Sequence, residues 1–225
     1  MPVLVVTGVQ REAKIAAGPG VKTICSGGSP ARLRTLLAGQ DSYGITAVMS
    51  FGIGGGLNPA LMPGHVVVAD AVSSRDGRWT TDKAITDALI RALPSRNAGL
   101  KVLRASLLGV DTAILDPGEK SRARAQSGAA AVDMESHIAA AYAAARGLPF
   151  VAVRVVCDPA DRSLPPLVNE ALNEDGSVSM KGVFGSLAKK PGQIGDLIRL
   201  AMDSRIAFGA LSQAGAMLRT AFAKA

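Results

Sequence analysis

The sequence predicts an α/β fold, a three-layer α/β/α sandwich around a central mixed sheet. Short apolar runs typical of buried strands alternate with helical segments over most of the 225 residues, which is the pattern of α/β proteins. The chain is 48% hydrophobic but only 4% aromatic, so aliphatic side chains must fill its core. The consecutive strands Ile45–Ser50 and His65–Ala71 have no helix between them. Because parallel neighbours need a long crossover, this pair is either antiparallel or joined by a loop crossover.

The first half of the chain follows this alternation. Its predicted elements are strands Val3–Thr7 and Val21–Cys25, a helix over about 31–38, strands Ile45–Ser50 and His65–Ala71, and a helix over about 82–93. The first strand is an apolar run that ends at Gly8. Ser29 and Pro30 suit the N-cap and the first turn of the first of these helices.

The second half adds strand Val102–Leu108, a helix over about 118–127, helix Ser136–Arg146 and strand Val151–Val156. The alanine-rich helix is closed by Gly147 and Pro149, which are typical residues just beyond a helix C-terminus. The last strand is rich in β-branched residues and apolar except at Arg154, as expected for a strand buried on both faces. These elements predict a single domain over residues 1–225.

Residues 165–225 are predicted to be a helical, basic and apolar C-terminal extension. Over about 193–223 a helical pattern of apolar residues is flanked by more bases than acids. Such a stripe suits a helix packed on the body or on a second subunit, and it also suits a helix resting on an anionic membrane. No run of eighteen apolar residues predicts a bilayer span.

Charge and cysteines narrow the class of protein. The formal net charge is +7, but the chain lacks the aromatic platforms and dense basic runs that favour nucleic-acid binding. Cys25 and Cys157 lie far apart, with no metal-ligand spacing. We therefore expect a reduced, cytoplasmic protein, free or peripheral at the inner membrane face, without a metal site.

Two segments about twenty residues apart carry carboxylates, Val132–Ser136 and Arg154–Asp161. Glu135 begins a helix whose dipole should keep it ionised, and an ionised carboxylate accepts hydrogen bonds from a ribose diol. Asp158 follows a buried strand at the sheet edge where α/β folds place their sites. Burial would raise its pKa and make it a proton donor. Alternatively, Glu135 binds no ligand and only interacts with the helix dipole. Asp158 could likewise be a loop carboxylate that caps a turn.

Three further features are candidates for the same site. The glycines over 52–56 follow a strand and allow backbone N–H groups to approach an anion or a sugar, although a tight turn would also explain them. Arg154 lies within an apolar strand and needs an anionic partner, either a bound anion or one of these acids. Glu12 lies either at this edge or on the surface of a helix that follows the first strand. His65, His137 and Cys157 lack the partners that nucleophilic catalysis requires.

Together these segments resemble the purine nucleoside phosphorylase and nucleosidase superfamily over about residues 3–161. The resemblance implies a nucleoside phosphorylase-like fold in which Glu135 binds the ribose hydroxyls, Met134 lies beneath the sugar and Asp158 protonates the purine N7. It places Glu12 where nucleosidases activate water, and Ile53 where a Ser or Thr helps to bind phosphate or water. The other substrate-binding positions that it implies are Gly54, Gly55, Arg154, Val132 and Ile114.

The segment from Cys157 to Pro166 and the basic, apolar tail look like the hopanoid-associated phosphorylases. That likeness implies release of adenine from adenosylhopane in hopanoid side-chain biosynthesis, by phosphorolysis or hydrolysis, by a homo-oligomer. No cofactor is implied, and phosphate would be a co-substrate. The alternatives are a methylthioadenosine/adenosylhomocysteine or futalosine-type nucleosidase, and a non-catalytic nucleoside- or lipid-binding protein.

Overall fold

The computed structural model describes residues 2–93, 99–164 and 194–222. The strands of this part of the chain are β1 Val3–Thr7, β2 Val21–Cys25, β3 Ala47–Gly56, β4 Val66–Ser74, β5 Gly77–Thr80, β6 Val102–Gly109, β7 Ala131–Asp133 and β8 Phe150–Asp158. Its helices are α1 Gln10–Ala16, α2 Pro30–Ala38, α3 Lys83–Ala92, α4 Pro117–Ser127, α5 Ser136–Ala144 and α6 Ile194–Phe222.

The strands form one mixed sheet. β1 lies parallel to β2 and to β3, and β8 lies parallel to β3 but antiparallel to β4. The pairings of β4 with β6, of β6 with β7 and of β7 with β3 then close a ring of strands. The mixed sheet predicted from the sequence is confirmed, and its centre is curled into a barrel-like ring.

The two consecutive strands without a helix between them, β3 and β4, are not hydrogen-bonded to each other. β3 and β4 run in opposite directions, as one of the two predicted alternatives requires, but β8 lies between them and pairs with both. The reason is that β8 is apolar apart from Arg154 and Asp158 and is buried along its whole length, which suits the centre of the sheet.

Helices cover both faces of the sheet. Along β1, Leu4 and Val6 belong to one buried cluster and Val3 and Val5 to the other, as the two-residue period of a strand demands. The first cluster contains side chains of α2 and α5, and the second contains side chains of α1, α3 and α6. The predicted three-layer sandwich is therefore confirmed.

The glycine segment after the third predicted strand belongs to the strand. β3 continues through Gly56, and residues 48–54 of β3 are paired in register with residues 150–156 of β8. The expectation of a loop beyond Ser50 is therefore wrong, because β8 supplies backbone partners along the glycines. The short strands β5 and β7 were not predicted, since four and three residues carry too little periodicity.

Helix α6 packs on the body of the protein through its second half. Phe208, Leu211 and Ala214 are buried in the core, whereas Ile198, Met202 and Ile206 are exposed. Among the described residues no helix is both long and apolar enough to span a membrane. The part of the predicted extension over 165–193 lies outside the described residues.

Candidate active site

The carboxyl-terminal parts of β1, β3 and β8 bring the predicted polar residues to one edge of the sheet. A Cβ atom added to Gly52 would lie 2.5 Å from Glu12 Oε1 and 2.7 Å from Arg154 Nη1. One added to Gly8 would lie 2.9 Å from Glu135 Oε1, and one added to Gly55 would lie 3.1 Å from Asp158 Oδ2. The glycines are therefore needed because charged side chains of the protein pass directly over the backbone.

Glu12 is buried and held by backbone N–H groups. The N–H groups of Gly8 and Val9 donate to its Oε2 at 2.7 and 2.9 Å, and that of Ile53 donates to Oε1 at 2.7 Å. Glu12 is the third residue of α1, from which a glutamate can reach back to the residues before the helix. Burial raises the pKa of Glu12, and Arg154 and the three N–H groups only partly offset that effect.

Arg154 is fully buried beneath the two glutamates. Its Nε donates to Asp133 Oδ2 at 2.7 Å and its Nη2 to Ser50 Oγ at 2.7 Å, and Nη2 lies 3.4 Å from Glu135 Oε2. The anionic partner demanded by its burial is therefore mainly Asp133. Nη1 has no hydrogen-bond partner in the structure.

Asp133 is a site residue that the sequence analysis missed. It is buried at the end of β7, and its Oδ1 accepts from the N–H groups of Glu135 and Ser136 at 3.0 and 2.7 Å. Burial alone would raise its pKa, but Arg154 and the hydrogen bonds together hold the pKa of Asp133 below its ordinary value. An acid directly before a helix start, in a chain with a buried arginine, was the available signal.

Glu135 precedes the first turn of α5 and is buried. Its Oε1 accepts from Ser26 Oγ at 3.2 Å. Burial, together with the nearby Asp133 and Glu12, raises the pKa of Glu135 to about 7, although Arg154 opposes the rise. The helix dipole therefore does not hold the pKa of this carboxyl at its ordinary value, because loss of solvation and two neighbouring acids outweigh a dipole contribution of under about 2 kcal/mol. With a pKa of about 7, Glu135 is ionised in part at neutral pH.

Asp158 ends β8 and forms a buried ion pair that the sequence analysis missed. Lys120 of α4 is fully buried, and its Nζ lies 2.5 Å from Asp158 Oδ2. Burial raises the pKa of Asp158, as the sequence predicted, and Lys120 opposes that rise. Nothing in the polar sequence around Lys120 marks it as buried.

The remaining predicted positions lie beside this edge. Val132 is buried and paired with Gly55 in the short β3–β7 ladder, and Ile114 packs against the same small apolar cluster. A Cβ on Gly54 would lie 2.7 Å from the Val132 carbonyl oxygen. Met134 is half-buried between Asp133 and Glu135.

The histidines and Cys157 are engaged elsewhere. His137 is buried with its Nε2 3.1 Å from Asp111 Oδ1, and His65 Nδ1 accepts from the Met62 N–H at 3.3 Å. The Cys157 thiol lies 3.4 Å from Ser204 Oγ, and burial raises its pKa to about 12, so it stays protonated. Over the described ranges, no three His, Cys, Asp or Glu side chains are arranged to hold a metal ion.

Comparison with known proteins identifies the family. The sequence model of the phosphorylase superfamily matches residues 2–181. The chain belongs to the phosphorylase superfamily. As a member of this superfamily, it is an enzyme of the nucleoside phosphorylase and nucleosidase class. No curated protein sequence matches it.

Solved structures share the fold of this superfamily member at low sequence identity. The methylthioadenosine/adenosylhomocysteine nucleosidase of Neisseria meningitidis, bound to methylthio-immucillin-A, has 15% identity and a TM-score of 0.67, covering 97% of this chain and 99% of its own. That of Helicobacter pylori, bound to butyl-thio-DADMe-immucillin-A, has 12% identity and a TM-score of 0.70, covering 98% and 99%. Helicobacter pylori futalosine hydrolase has 13% identity and a TM-score of 0.70, covering 98% of each chain.

Proposed function

We propose that the protein hydrolyses the N-glycosidic bond of an adenine nucleoside. The observation that carries this proposal is the position of Glu12, whose carboxylate accepts three backbone N–H bonds at the glycine edge of β3. A buried carboxylate held beside a sugar-binding glutamate is suited to remove a proton from water. Water, rather than phosphate, is then the nucleophile.

Most of the donors that a phosphate would need are already committed, and the remaining one, Arg154 Nη1, lies over Gly52 together with the Glu12 carboxylate. The Ile53 N–H donates to Glu12, and Arg154 donates to Asp133, Ser50 and Glu135. A phosphate placed there would face the Glu12 carboxylate at close range, and that like-charge contact disfavours binding in a buried site.

The proposed reaction divides the work among three carboxyl groups. Asp158 gives its proton to N7 of the purine while the electrons of the C1′–N9 bond pass into the base. Glu135 accepts hydrogen bonds from the ribose hydroxyls and faces the positive charge that grows on the sugar. Water attacks C1′ and loses its proton to Glu12, so that adenine and the free sugar leave.

Adenine release with and without phosphate tests the nucleophile. We expect the rate to be unchanged after complete removal of phosphate and the sugar product to carry no phosphate. Glu12→Gln should lower kcat by on the order of 10²–10⁴-fold, because the general base is lost. A requirement for phosphate, with ribose 1-phosphate as product, would overturn hydrolysis.

The proposed substrates are soluble adenine nucleosides with a 5′ substituent, such as methylthioadenosine or adenosylhomocysteine. Support comes from the similar structures, which are described as nucleosidases for these compounds, with a futalosine hydrolase among them. Adenosylhopane is the second candidate, and the exposed apolar row on α6 is the observation that favours it. Comparing kcat/KM for methylthioadenosine, futalosine and adenosylhopane decides between them, and a preference of tenfold or more for adenosylhopane would overturn the first choice.

We infer in addition that α6 contacts an anionic bilayer peripherally. The side chains of Ile198, Met202 and Ile206 are 57%, 62% and 53% exposed on one helix face, and Arg199 and Arg205 are exposed beside them. Apolar residues flanked by arginine suit the interface of an anionic membrane.

Sedimentation with vesicles tests this contact. Phosphatidylglycerol vesicles should retain the protein, phosphatidylcholine vesicles should not, and Met202→Glu should abolish retention. Light scattering on the same samples reports the oligomeric state, since the family resemblance implies a homo-oligomer. A dimer that is lost in Met202→Glu, without vesicle binding by the wild type, would assign this face to a second copy of the chain.

A further inference from the structure

We propose that Lys120 is a positioning residue for proton transfer from Asp158 to the leaving base, an inference that rests on the proposed function. Lys120 holds one carboxyl oxygen and stabilises the carboxylate that remains when the proton has moved. The argument depends on the burial of Lys120, on its three contacts and on the charges around Asp158.

Anchoring α4 to the body of the protein does not by itself require a buried lysine. α4 is a polar helix on the surface, and Lys120 is its one buried residue. A helix of this kind would be anchored more cheaply by leucine or methionine, because a buried ion pair is often no more stable than an apolar replacement. The lysine therefore indicates a role beyond anchoring.

All three N–H bonds of the ammonium group have an acceptor. Nζ lies 2.5 Å from Asp158 Oδ2, 2.9 Å from the Pro159 carbonyl oxygen and 3.0 Å from that of Arg162. These contacts direct the ammonium at Oδ2 and tie it to the segment after β8. Oδ1 is thereby left as the oxygen that carries the transferable proton.

The charges around Asp158 make Lys120 the compensating cation. From α6, Asp203 faces Asp158 as a second acid, but Arg162 is paired with Asp203. The neighbouring Cys157 stays an uncharged thiol. Charge that appears on Asp158 is therefore matched mainly by the ammonium of Lys120 in a site with little water.

The chemistry makes this pairing selective for the transition state. The reaction starts from the protonated form of Asp158, in which the carboxyl is neutral beside the ammonium group and the ion pair of the structure is absent. As its proton moves from Oδ1 to N7, negative charge develops on the carboxyl group and the ion pair forms. Lys120 keeps all three of its protons, and Asp158 takes up a new one from solvent before the next turnover. An interaction that strengthens only during the reaction raises kcat rather than substrate affinity.

The test compares variants on two substrates. Lys120→Met removes the charge, Lys120→Gln keeps a hydrogen-bond donor without the charge, and Lys83→Met makes the same change at a lysine whose side chain is 85% exposed. One substrate is methylthioadenosine, whose base must be protonated to leave. The other is 4-nitrophenyl riboside, whose leaving group needs no protonation.

We expect both Lys120 variants to lower kcat for methylthioadenosine by on the order of 10²-fold, with little change in KM or in cleavage of the nitrophenyl riboside. The alkaline limb of the kcat profile should move to higher pH, because Asp158 without the ammonium group binds its proton more tightly. Lys83→Met should match the wild type in both respects.

Equal losses on both substrates, or an unmoved alkaline limb, would assign Lys120 a purely structural role. Lys120→Gln keeps the test decisive if Lys120→Met does not fold, because it can still donate to the buried oxygens. A wild-type protein that releases adenine from no nucleoside contradicts the proposed function instead. The two failures are therefore distinguishable.

Discussion

At the scale of single residues, the site is a set of buried charges that hold one another. Arg154 lies below Glu12 and Glu135, and its charge is neutralised mainly by Asp133. Lys120 forms a separate pair with Asp158 at the end of β8. Each charge is stabilised by a named partner, since an unpaired buried charge would cost several kcal/mol. The proton affinities of these groups consequently differ from those in water.

Asp158→Asn tests the proton donor. The amide keeps the size of the side chain but cannot give a proton to N7, so kcat for adenine release should fall by on the order of 10²–10⁴-fold. The measurement is the release of adenine from methylthioadenosine at saturating substrate. Asp161→Asn, at a nearby exposed acid, is the matched control and should retain its rate. A near-normal rate in Asp158→Asn would exclude the assigned role.

The acid limb of the pH profile tests Glu12. Glu12 accepts a proton only when ionised, and burial raises its pKa above the ordinary value of 4.5. Activity should therefore be present at neutral pH and be lost as the pH falls through that raised pKa, at a higher pH than for an exposed glutamate. The measurement is kcat/KM against pH. Full activity persisting down to pH of about 4.5 would show that Glu12 is not the base.

At the scale of elements, the decisive one is β3. Its glycines remain in regular pairing with β8 and leave room above the strand for side chains from α1 and β8. A strand that would otherwise be destabilised by glycine is held at the centre of the sheet by partners on both sides. The same strand thus provides the backbone N–H of Ile53 for Glu12.

Gly52→Ala tests the close approach over β3. The added methyl group would lie 2.5 Å from Glu12 Oε1, so Glu12 and Arg154 must shift and kcat/KM should fall by on the order of 10²-fold. Gly39→Ala is the control, because Gly39 has a φ of −83° at the end of α2 and a Cβ there would lie 3.8 Å from its nearest neighbour. Equal activity in the two variants would contradict the packing argument.

At the scale of the whole molecule, the buried Glu135 lowers the stability of the folded state when it is ionised. Glu135 has a pKa of about 7 in the folded protein and an ordinary value of 4.5. The folded state therefore holds this proton more tightly than the unfolded state does. The contribution of the protonated Glu135 to the free energy of unfolding is fully present below about pH 4.5 and is lost as the pH rises through about 7.

Unfolding by urea at pH 5 and at pH 8 tests this linkage. From Glu135 we expect the free energy of unfolding to be greater at pH 5, by on the order of 2–3 kcal/mol. Glu135→Gln cannot titrate and should remove that part of the pH dependence. An unchanged difference between the two pH values in Glu135→Gln would show that other groups cause it.

The sequence alone determined most elements and two of the acids. Hydrophobic periodicity and caps are local signals, so they predicted the long strands, the longer helices and the positions of Glu135 and Asp158 at element ends. The family followed from the same two segments and is confirmed by the family match over residues 2–181.

Tertiary structure decided which groups meet. Lys120 and Asp158 are 38 residues apart, and Arg154 and Asp133 are 21 apart, so no local pattern predicts either ion pair. The ring of strands, the insertion of β8 between β3 and β4 and the raised pKa of Glu135 also arise only when distant elements pack. The physical reason is that burial and charge pairing depend on the whole fold, whereas the propensity for a strand or a helix depends mainly on neighbouring residues.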